Sequence, residues 1–222
     1  MKLTEKKFLQ LVDHSLLKPE LTYEQIIDGL EFSAENNCKA VCISPNRLNF
    51  ARKVLTGTPV IIGTVIGFPS GCHETAIKVA EAKRAYEQGA RELDMVINIS
   101  AMVSGDTDTV YEDIKSVVDA TPGHIKVIVE TAFLTNEQIV KAAKLASDAG
   151  AAFVKTSTGF APSGATPQNV TLLRQGAGKD VQVKAAGGIS TLSDVIAVVE
   201  AGADRVGISR TKSILEEIRR QS

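Results

Sequence analysis

Short apolar runs and amphipathic segments alternate along the whole chain. The apolar runs are rich in Val and Ile, and several are nearly continuous, as is typical of parallel strands that are covered on both faces. The segments between them repeat apolar residues at helical spacing, and Thr22, Thr135 and Thr166 stand where helix N-caps are expected. The pattern therefore predicts eight strands, at residues 11–17, 40–44, 60–67, 93–98, 126–130, 153–157, 181–186 and 205–209.

The junctions between helices and strands share one pattern. The sequences EQGARELDMVIN, SDAGAAFVKTST and EAGADRVGIS each bring a helix to a glycine and then enter a strand, as the αβ loop of a repeated βα unit does. Eight units in 222 residues leave roughly 28 residues each, near the lower limit for a closed barrel. A doubly wound open sheet would need a glycine-rich phosphate motif after the first strand, where the sequence is DHSLL. Because no linker divides the chain, we expect an α/β fold, a (β/α)8 TIM barrel, as a single domain over residues 1–222.

Composition and charge narrow the classes of partner. Hydrophobic residues make up 44% of the chain and charged residues 23%, with a formal net charge of −1 and no basic block, so a nucleic-acid partner is not expected. The longest apolar run, at 60–68, is too short for a membrane helix, and the first ten residues lack the apolar core of a signal peptide. We therefore expect a cytoplasmic protein without a membrane partner.

The cysteines and histidines do not suggest a metal site. Cys38, Cys42 and Cys72 form no CxxC pair, and the three histidines are scattered along the chain. Without a signal sequence, an odd number of cysteines favours reduced thiols. The sequence therefore predicts neither a disulfide nor a bound metal.

Ionisable residues lie in or at the end of several predicted strands, where the active sites of barrels are found. They are Asp13, Asp94, Glu130, Lys155 and Lys184. Two lysines on neighbouring strands repel each other, which lowers the pKa of one of them and leaves a neutral amine that can attack a carbonyl. The alternative is that each lysine reaches water or pairs with a carboxylate. We favour the catalytic interpretation because the two lysines occur together.

Glycine and hydroxyl residues follow the last three strands. Loops after the seventh and eighth strands of barrels often bind phosphate, where glycines expose backbone N–H groups near a helix N-terminus. Any one glycine could instead serve only as a turn. Their joint occurrence predicts a phosphorylated ligand, bound by Gly159, Gly187, Gly188, Gly207 and Ser209.

These motifs resemble those of the deoxyribose-phosphate aldolase family of class I, Schiff-base-forming aldolases. The resemblance spans nearly the whole chain, and it is carried by DHSLLKP at 13–19, AVCISP at 40–45, GFPSG at 67–71, ELDMVINI at 92–99, FVKTSTGF at 153–160, VKAAGGI at 183–189 and RVGISR at 205–210. It implies a barrel, in agreement with the strand count. It also implies a lyase of deoxyribose catabolism that reversibly cleaves 2-deoxy-D-ribose 5-phosphate to D-glyceraldehyde 3-phosphate and acetaldehyde, without a cofactor or metal, and a homodimer.

The resemblance also implies the roles of individual residues. Lys155 matches the Schiff-base lysine, and Lys184 matches a second lysine that perturbs the first and assists proton transfer. Asp94 matches an acid/base carboxylate that works through a bound water. Asp13 and Ser15 match positions that support the substrate hydroxyl, although the family often has threonine in place of Ser15.

Further matches lie around the substrate. Cys42 matches a residue that lines the site, and the five glycine and serine positions named above match the phosphate-binding positions. Two residues depart from the family pattern. Phe160 stands where some members have a lysine that holds the phosphate, and Arg210 stands where some have a second serine. These departures leave open the preference for phosphorylated over free sugar.

Other interpretations remain. The chain could be a different Schiff-base barrel enzyme, such as a transaldolase-like transferase, or a phosphosugar-binding barrel without catalysis. Glu130 is expected to pair with a cation of the barrel rather than to act as the main base. His14 is expected to be a hydrogen-bonded packing residue, and Cys38 and Cys72 are expected to be inert.

Overall fold

Eight parallel strands form a closed barrel in the computed structural model, which describes residues 3–221. Each strand pairs with its neighbours in chain order, and the first strand pairs with the last, so the sheet has no free edge. All eight predicted runs overlap a strand, which confirms the (β/α)8 prediction. The strands are β1 Val12–Leu16, β2 Ala40–Ile43, β3 Ile61–Ile66, β4 Glu92–Val96, β5 His124–Ile128, β6 Phe153–Lys155, β7 Gln182–Ala186 and β8 Arg205–Ile208.

Ten α-helices surround the barrel in the described part of the chain. Two 3-10 turns, Pro45–Arg47 and Thr131–Phe133, lie in the loops after β2 and β5. No helix within residues 3–221 combines the length and apolar character that crossing a membrane requires. The helices are α1 Glu5–Leu11, α2 Tyr23–Glu35, α3 Leu48–Val54, α4 Thr75–Glu87, α5 Ile99–Val103, α6 Thr107–Asp119, α7 Asn136–Asp148, α8 Pro167–Gly176, α9 Leu192–Glu200 and α10 Thr211–Arg220.

The predicted helix starts are confirmed. Thr22 and Thr135 form capping boxes, in which the threonine side chain accepts a backbone N–H and a glutamine three residues on accepts the N–H of the threonine. Thr166 caps α8, which has Pro167 at its first position. Gly150 follows α7 with φ of +90°, a left-handed conformation that favours glycine at a helix end.

The two faces of each strand differ sharply in polarity. On β4, Leu93 and Met95 are fully buried in the apolar layer beneath the helices. Because side chains alternate along a strand, Glu92 and Asp94 lie on the opposite face, inside the barrel. The barrel interior therefore carries buried charges instead of apolar layers alone, and these charges are Asp13, Glu92, Asp94, Lys126, Lys155, Lys184 and Arg205.

Candidate active site

A cavity of about 370 Å³ opens at the carboxyl ends of the strands. Lys155 is the last residue of β6, and residues of the loops that follow the next two strands, β7 and β8, also line the cavity. All the site residues predicted from the sequence line this cavity except Asp94, which is fully buried beneath it. The lining residues from that set are Asp13, Ser15, Cys42, Lys155, Gly159, Lys184, Gly187, Gly188, Gly207 and Ser209.

Lys155 and Lys184 share one carboxylate oxygen. The two lysines are register partners on the adjacent strands β6 and β7. Lys155 Nζ donates to Asp94 Oδ2 at 2.7 Å, and Lys184 Nζ donates to the same oxygen at 2.8 Å. All three side chains are buried. The lysines are therefore both close to each other and paired with a carboxylate, so the two interpretations of the sequence describe one arrangement.

The surroundings shift the pKa values of the two lysines in opposite directions. Burial lowers the pKa of Lys155 by more than the Asp94 carboxylate raises it, and the repulsion from Lys184 adds to the lowering. Burial also disfavours the ammonium of Lys184, but Asp13 and Asp94 together raise its pKa. Lys155 has one carboxylate partner and Lys184 has two. Lys155 is thus the amine that loses its proton first, while Lys184 stays an ammonium.

Three further charged residues, which the sequence pattern does not single out, contact Asp13 and Asp94 or each other beneath the cavity. Lys126 Nζ donates to Asp13 Oδ2 at 2.8 Å and to Glu92, and lies 3.3 Å from Asp94 Oδ1. Arg205 donates to Asp13 and, at 3.2 Å, to Glu92 Oε1. Strand alternation offered a signal, because Glu92 lies two residues before Asp94 and therefore on the same face of β4.

The carboxylates of Asp13 and Asp94 are held in the ionised state. Burial alone would raise the pKa of Asp94, but Lys126, Lys155 and Lys184 lower it below its usual value. For Asp13, likewise, burial is outweighed by nearby cations, and the pKa lies well below its usual value. Asp94 therefore acts as a fixed negative charge toward both lysines.

Glu130 does not pair with a cation, contrary to the prediction. Within the described residues its Oε2 accepts hydrogen bonds from the backbone N–H of Thr158, at 3.1 Å, and from the Thr158 hydroxyl, and it forms no ion pair. The prediction failed because the partner lies on the loop after β6, which the strand pattern does not place. Burial raises the pKa of Glu130, and its backbone has φ of +57°, an uncommon value for a residue with a side chain. Glu130 thus anchors the loop that carries Gly159.

Backbone conformation and lack of space both favour glycine at and beside the cavity. Gly159, Gly187 and Gly188 have φ values of +88°, +85° and +76°, which favour glycine. A side chain at Gly164 would come within 2.2 Å of the Gly187 carbonyl oxygen. The loop is tied there because Ala165 N–H donates to that oxygen at 2.9 Å. The loops after β6 and β7 are therefore packed closely together and joined by a backbone hydrogen bond.

An exposed ion pair, Lys18 with Glu20, lies among the residues that line the cavity. Lys18 lines the cavity, and its ammonium is 3.9 Å from the Glu20 carboxylate at the surface. Phe160 also lines the cavity and packs edge-to-face on Phe68, with ring centroids 5.3 Å apart. Arg210 faces a neighbouring surface cavity instead. The loop after β6 therefore has no arginine or lysine that would replace the positive charge that the family pattern places at position 160.

Cys42 and His14 are predicted to line the site and to pack in the structure, respectively. Cys42 lies in the cavity wall, where burial and the Asp94 carboxylate raise the pKa of its thiol to about 11. His14 Nδ1 lies 2.8 Å from the Thr211 hydroxyl, and burial, with Lys212 nearby, lowers the pKa of His14 to about 4. His14 is thus a neutral, hydrogen-bonded packing residue, as predicted.

A family model described as DeoC/LacD family aldolase matches residues 6–215. The chain belongs to this family. Among curated aldolases, deoxyribose-phosphate aldolase 1 of Staphylococcus aureus strain MRSA252 is 46% identical over 217 residues, covering 97% of this chain and 99% of the relative. Deoxyribose-phosphate aldolase 2 of the same strain is also 46% identical, over 214 residues that cover 96% of this chain and 97% of the relative.

A solved aldolase structure supports the same relationship. The deoxyribose phosphate aldolase from Aeropyrum pernix is 28% identical to this chain, with a TM-score of 0.89, and the match covers 99% of this chain and 94% of the other. That enzyme is described as tetrameric. The tetramer is a property of that relative, so the homodimer implied by the family resemblance stays a prediction.

Proposed function

We propose that this aldolase cleaves 2-deoxy-D-ribose 5-phosphate to D-glyceraldehyde 3-phosphate and acetaldehyde through a Schiff base on Lys155. The observation that carries the proposal is the unequal lysine pair. Lys155 is buried in the cavity with a lowered pKa, and Lys184 beside it has a raised one. Lys155 therefore loses its proton more readily and can attack a carbonyl, while Lys184 keeps a proton that it can supply.

The reaction would begin at the open-chain aldehyde. The neutral amine of Lys155 adds to C1 and forms a carbinolamine, and the Lys184 ammonium protonates its hydroxyl. Water leaves, the C1–N double bond forms, and Lys184 is left as a neutral amine. Asp94 Oδ2 lies within 2.8 Å of both nitrogens. Its negative charge therefore stabilises the positive charge as it passes from the ammonium of Lys184 to the iminium on Lys155.

Cleavage would use the iminium as an electron sink. The C3 hydroxyl loses its proton through a water held by Asp94, and Lys184 receives that proton. The C2–C3 bond then breaks, its electrons form an enamine, and glyceraldehyde 3-phosphate leaves. Lys184 returns the proton to C2, which gives the iminium of acetaldehyde. Water hydrolyses this iminium to acetaldehyde and the free amine of Lys155, and the proton that is released returns to Lys184. Protons and charge balance over the cycle.

The phosphate would lie at the wall formed by the loops after β6, β7 and β8. Gly159, Gly187 and Gly188 bring backbone close to the cavity without side chains, and Ser209 adds a hydroxyl. Gly207 leaves room beside Lys184, whose Cε would lie 3.1 Å from a side chain there. Asp13, Ser15 and Cys42 would line the sugar, away from this wall.

Product identification tests the function directly. We expect incubation with 2-deoxyribose 5-phosphate to release acetaldehyde and glyceraldehyde 3-phosphate in equal amounts, each measured by a coupled dehydrogenase. A transferase would release little free acetaldehyde and would need an acceptor sugar. A binding protein would retain the ligand unchanged, and either result would refute the proposal.

Phe160→Lys is expected to favour the phosphorylated substrate. A lysine at the exposed position 160 would add a cation at the cavity, and an exposed ion pair contributes up to about 1 kcal/mol, or roughly fivefold in KM. The KM for 2-deoxyribose 5-phosphate should fall, and that for free 2-deoxyribose should not. The control is Ile77→Lys, at an equally exposed apolar position on α4. An equal change for both sugars would argue against a phosphate at this wall.

A further inference from the structure

Six buried charged residues form a connected set beneath the cavity, which we call the barrel-charge cluster. It contains three carboxylates and three cations, and all of them are buried. Each carboxylate contacts at least two of the cations, and each cation contacts two or more carboxylates. The cluster consists of Asp13, Glu92, Asp94, Lys126, Lys184 and Arg205.

The lower half of the cluster does not line the catalytic cavity. Glu92 and Arg205 face the other end of the barrel, where they line a small cavity with Phe153. Lys126 connects this half to the upper half, because it contacts Glu92 below and both Asp13 and Asp94 above. A change of charge at Glu92 or Arg205 thus alters the electrostatic environment of Asp94 through Lys126 and Asp13. Neither Glu92 nor Arg205 would contact a bound substrate.

Lys155 is the one further cation in contact with the cluster among the described residues, and it makes a single ion pair, with Asp94. The other titratable groups that face it are Cys42 from β2, Glu130 after β5 and Lys184 from β7. Cys42 is a neutral thiol, and Glu130 is bonded to Thr158. The cluster is electrically balanced by itself, so a protonated Lys155 leaves one excess positive charge in a buried site. A neutral Lys155 removes that excess.

We propose that Lys126, Glu92 and Arg205 are positioning residues that fix the charge balance of the barrel interior and so hold Lys155 as the neutral, nucleophilic amine. The inference rests on the proposed function, because it takes Lys155 as the residue that forms the Schiff base. These three residues do not touch the substrate. They act by setting how many charges of each sign surround Asp94.

Two substitutions of opposite sign test the charge balance. Lys126→Met removes a cation, so a protonated Lys155 becomes the balanced state and should persist to higher pH. Glu92→Gln removes an anion and should have the reverse effect. The measured quantity is the rate at which acetaldehyde is trapped on Lys155 by cyanoborohydride, followed from pH 5 to 10 by peptide mass spectrometry. We expect the midpoint to move up by about one pH unit in the first variant and down by about one in the second.

The double variant Lys126→Met/Glu92→Gln restores the balance and should return the midpoint close to that of the wild type. A merely structural role would weaken trapping in both variants without opposite shifts of the midpoint. If Lys126→Met does not fold, Arg205→Met removes a cation that pairs with two of the same carboxylates, Asp13 and Glu92, and must shift the midpoint up. Asp113→Asn, which breaks a buried pair with Lys78 outside the barrel interior, should leave the midpoint unchanged.

The outcomes separate this inference from the proposed function. Suppose that the wild type is trapped on Lys155, but the midpoints of the two variants move in the same direction or not at all. That result would overturn the charge-balance inference alone. The absence of trapping on Lys155 in the wild type would overturn the proposed function. Opposite shifts with recovery in the double variant would support both. Glu130 is unchanged in every variant, so its own titration cannot produce shifts of opposite sign.

Discussion

Lys155→Met is expected to reduce cleavage of 2-deoxyribose 5-phosphate by roughly 10⁴-fold or more, as the loss of the nucleophile does in other covalent catalysts. Methionine has about the length of lysine without its amine, so the cavity keeps its shape. Asp94 keeps Lys126 and Lys184 as partners, so the variant should fold with undiminished thermal stability. The measurements are kcat/KM by coupled assay and the melting temperature by circular dichroism.

Lys144→Met is the control for the removal of a lysine amine. Lys144 is an exposed residue of α7 that pairs with Asp148 at 2.9 Å, and an exposed pair contributes little stability. We expect this variant to keep the activity of the wild type. Turnover by Lys155→Met within about tenfold of the wild type would mean that the amine of Lys155 is not the nucleophile.

Asp94→Asn is expected to combine a large loss of activity with a large loss of stability. The carboxylate lies within ion-pair distance of Lys126, Lys155 and Lys184, and the removal of one partner of a buried ion pair costs about 3–5 kcal/mol. Turnover should also fall by roughly 10²–10⁴-fold, because the water that relays the C3 hydroxyl proton to Lys184 loses the carboxylate that holds it. Denaturant unfolding and kcat at saturating substrate measure the two effects.

Asp113→Asn separates stability from catalysis. Asp113 is a buried carboxylate that accepts a hydrogen bond from Lys78 Nζ at 2.6 Å, outside the barrel interior. Its removal should cost a similar free energy of unfolding, about 3–5 kcal/mol, and leave kcat within a few-fold of the wild type. If both variants lost activity in proportion to their lost stability, Asp94 would have only a structural role.

Much of the fold follows from local sequence signals. Parallel strands covered on both faces need continuous apolar residues, so the Val and Ile runs identify them without knowledge of the partners. The capping boxes at Thr22 and Thr135 are complete within four residues, and a local pattern suffices to predict them. Lys155 and Lys184 could be brought together from the sequence because β6 and β7 are consecutive strands of a closed barrel.

The lower charges of the barrel could not be predicted in the same way. Lys126 meets Asp13 across 113 residues, and Arg205 meets Asp13 across 192. Such contacts depend on the register of the closed barrel, and a register is set by all of the strands together. Near the start of a strand, a lysine or an arginine looks like an ordinary solvent-exposed residue. Only the closed barrel shows that these side chains point inward and neutralise one another.

The central claim is that Lys155 forms the Schiff base, and reductive trapping tests it most directly. The wild-type protein is incubated with acetaldehyde and cyanoborohydride near neutral pH, digested, and examined by peptide mass spectrometry. The predicted result is a single ethylated site at Lys155, formed faster than adducts on exposed lysines such as Lys144. Labelling spread over the exposed lysines with Lys155 unmodified would contradict the claim.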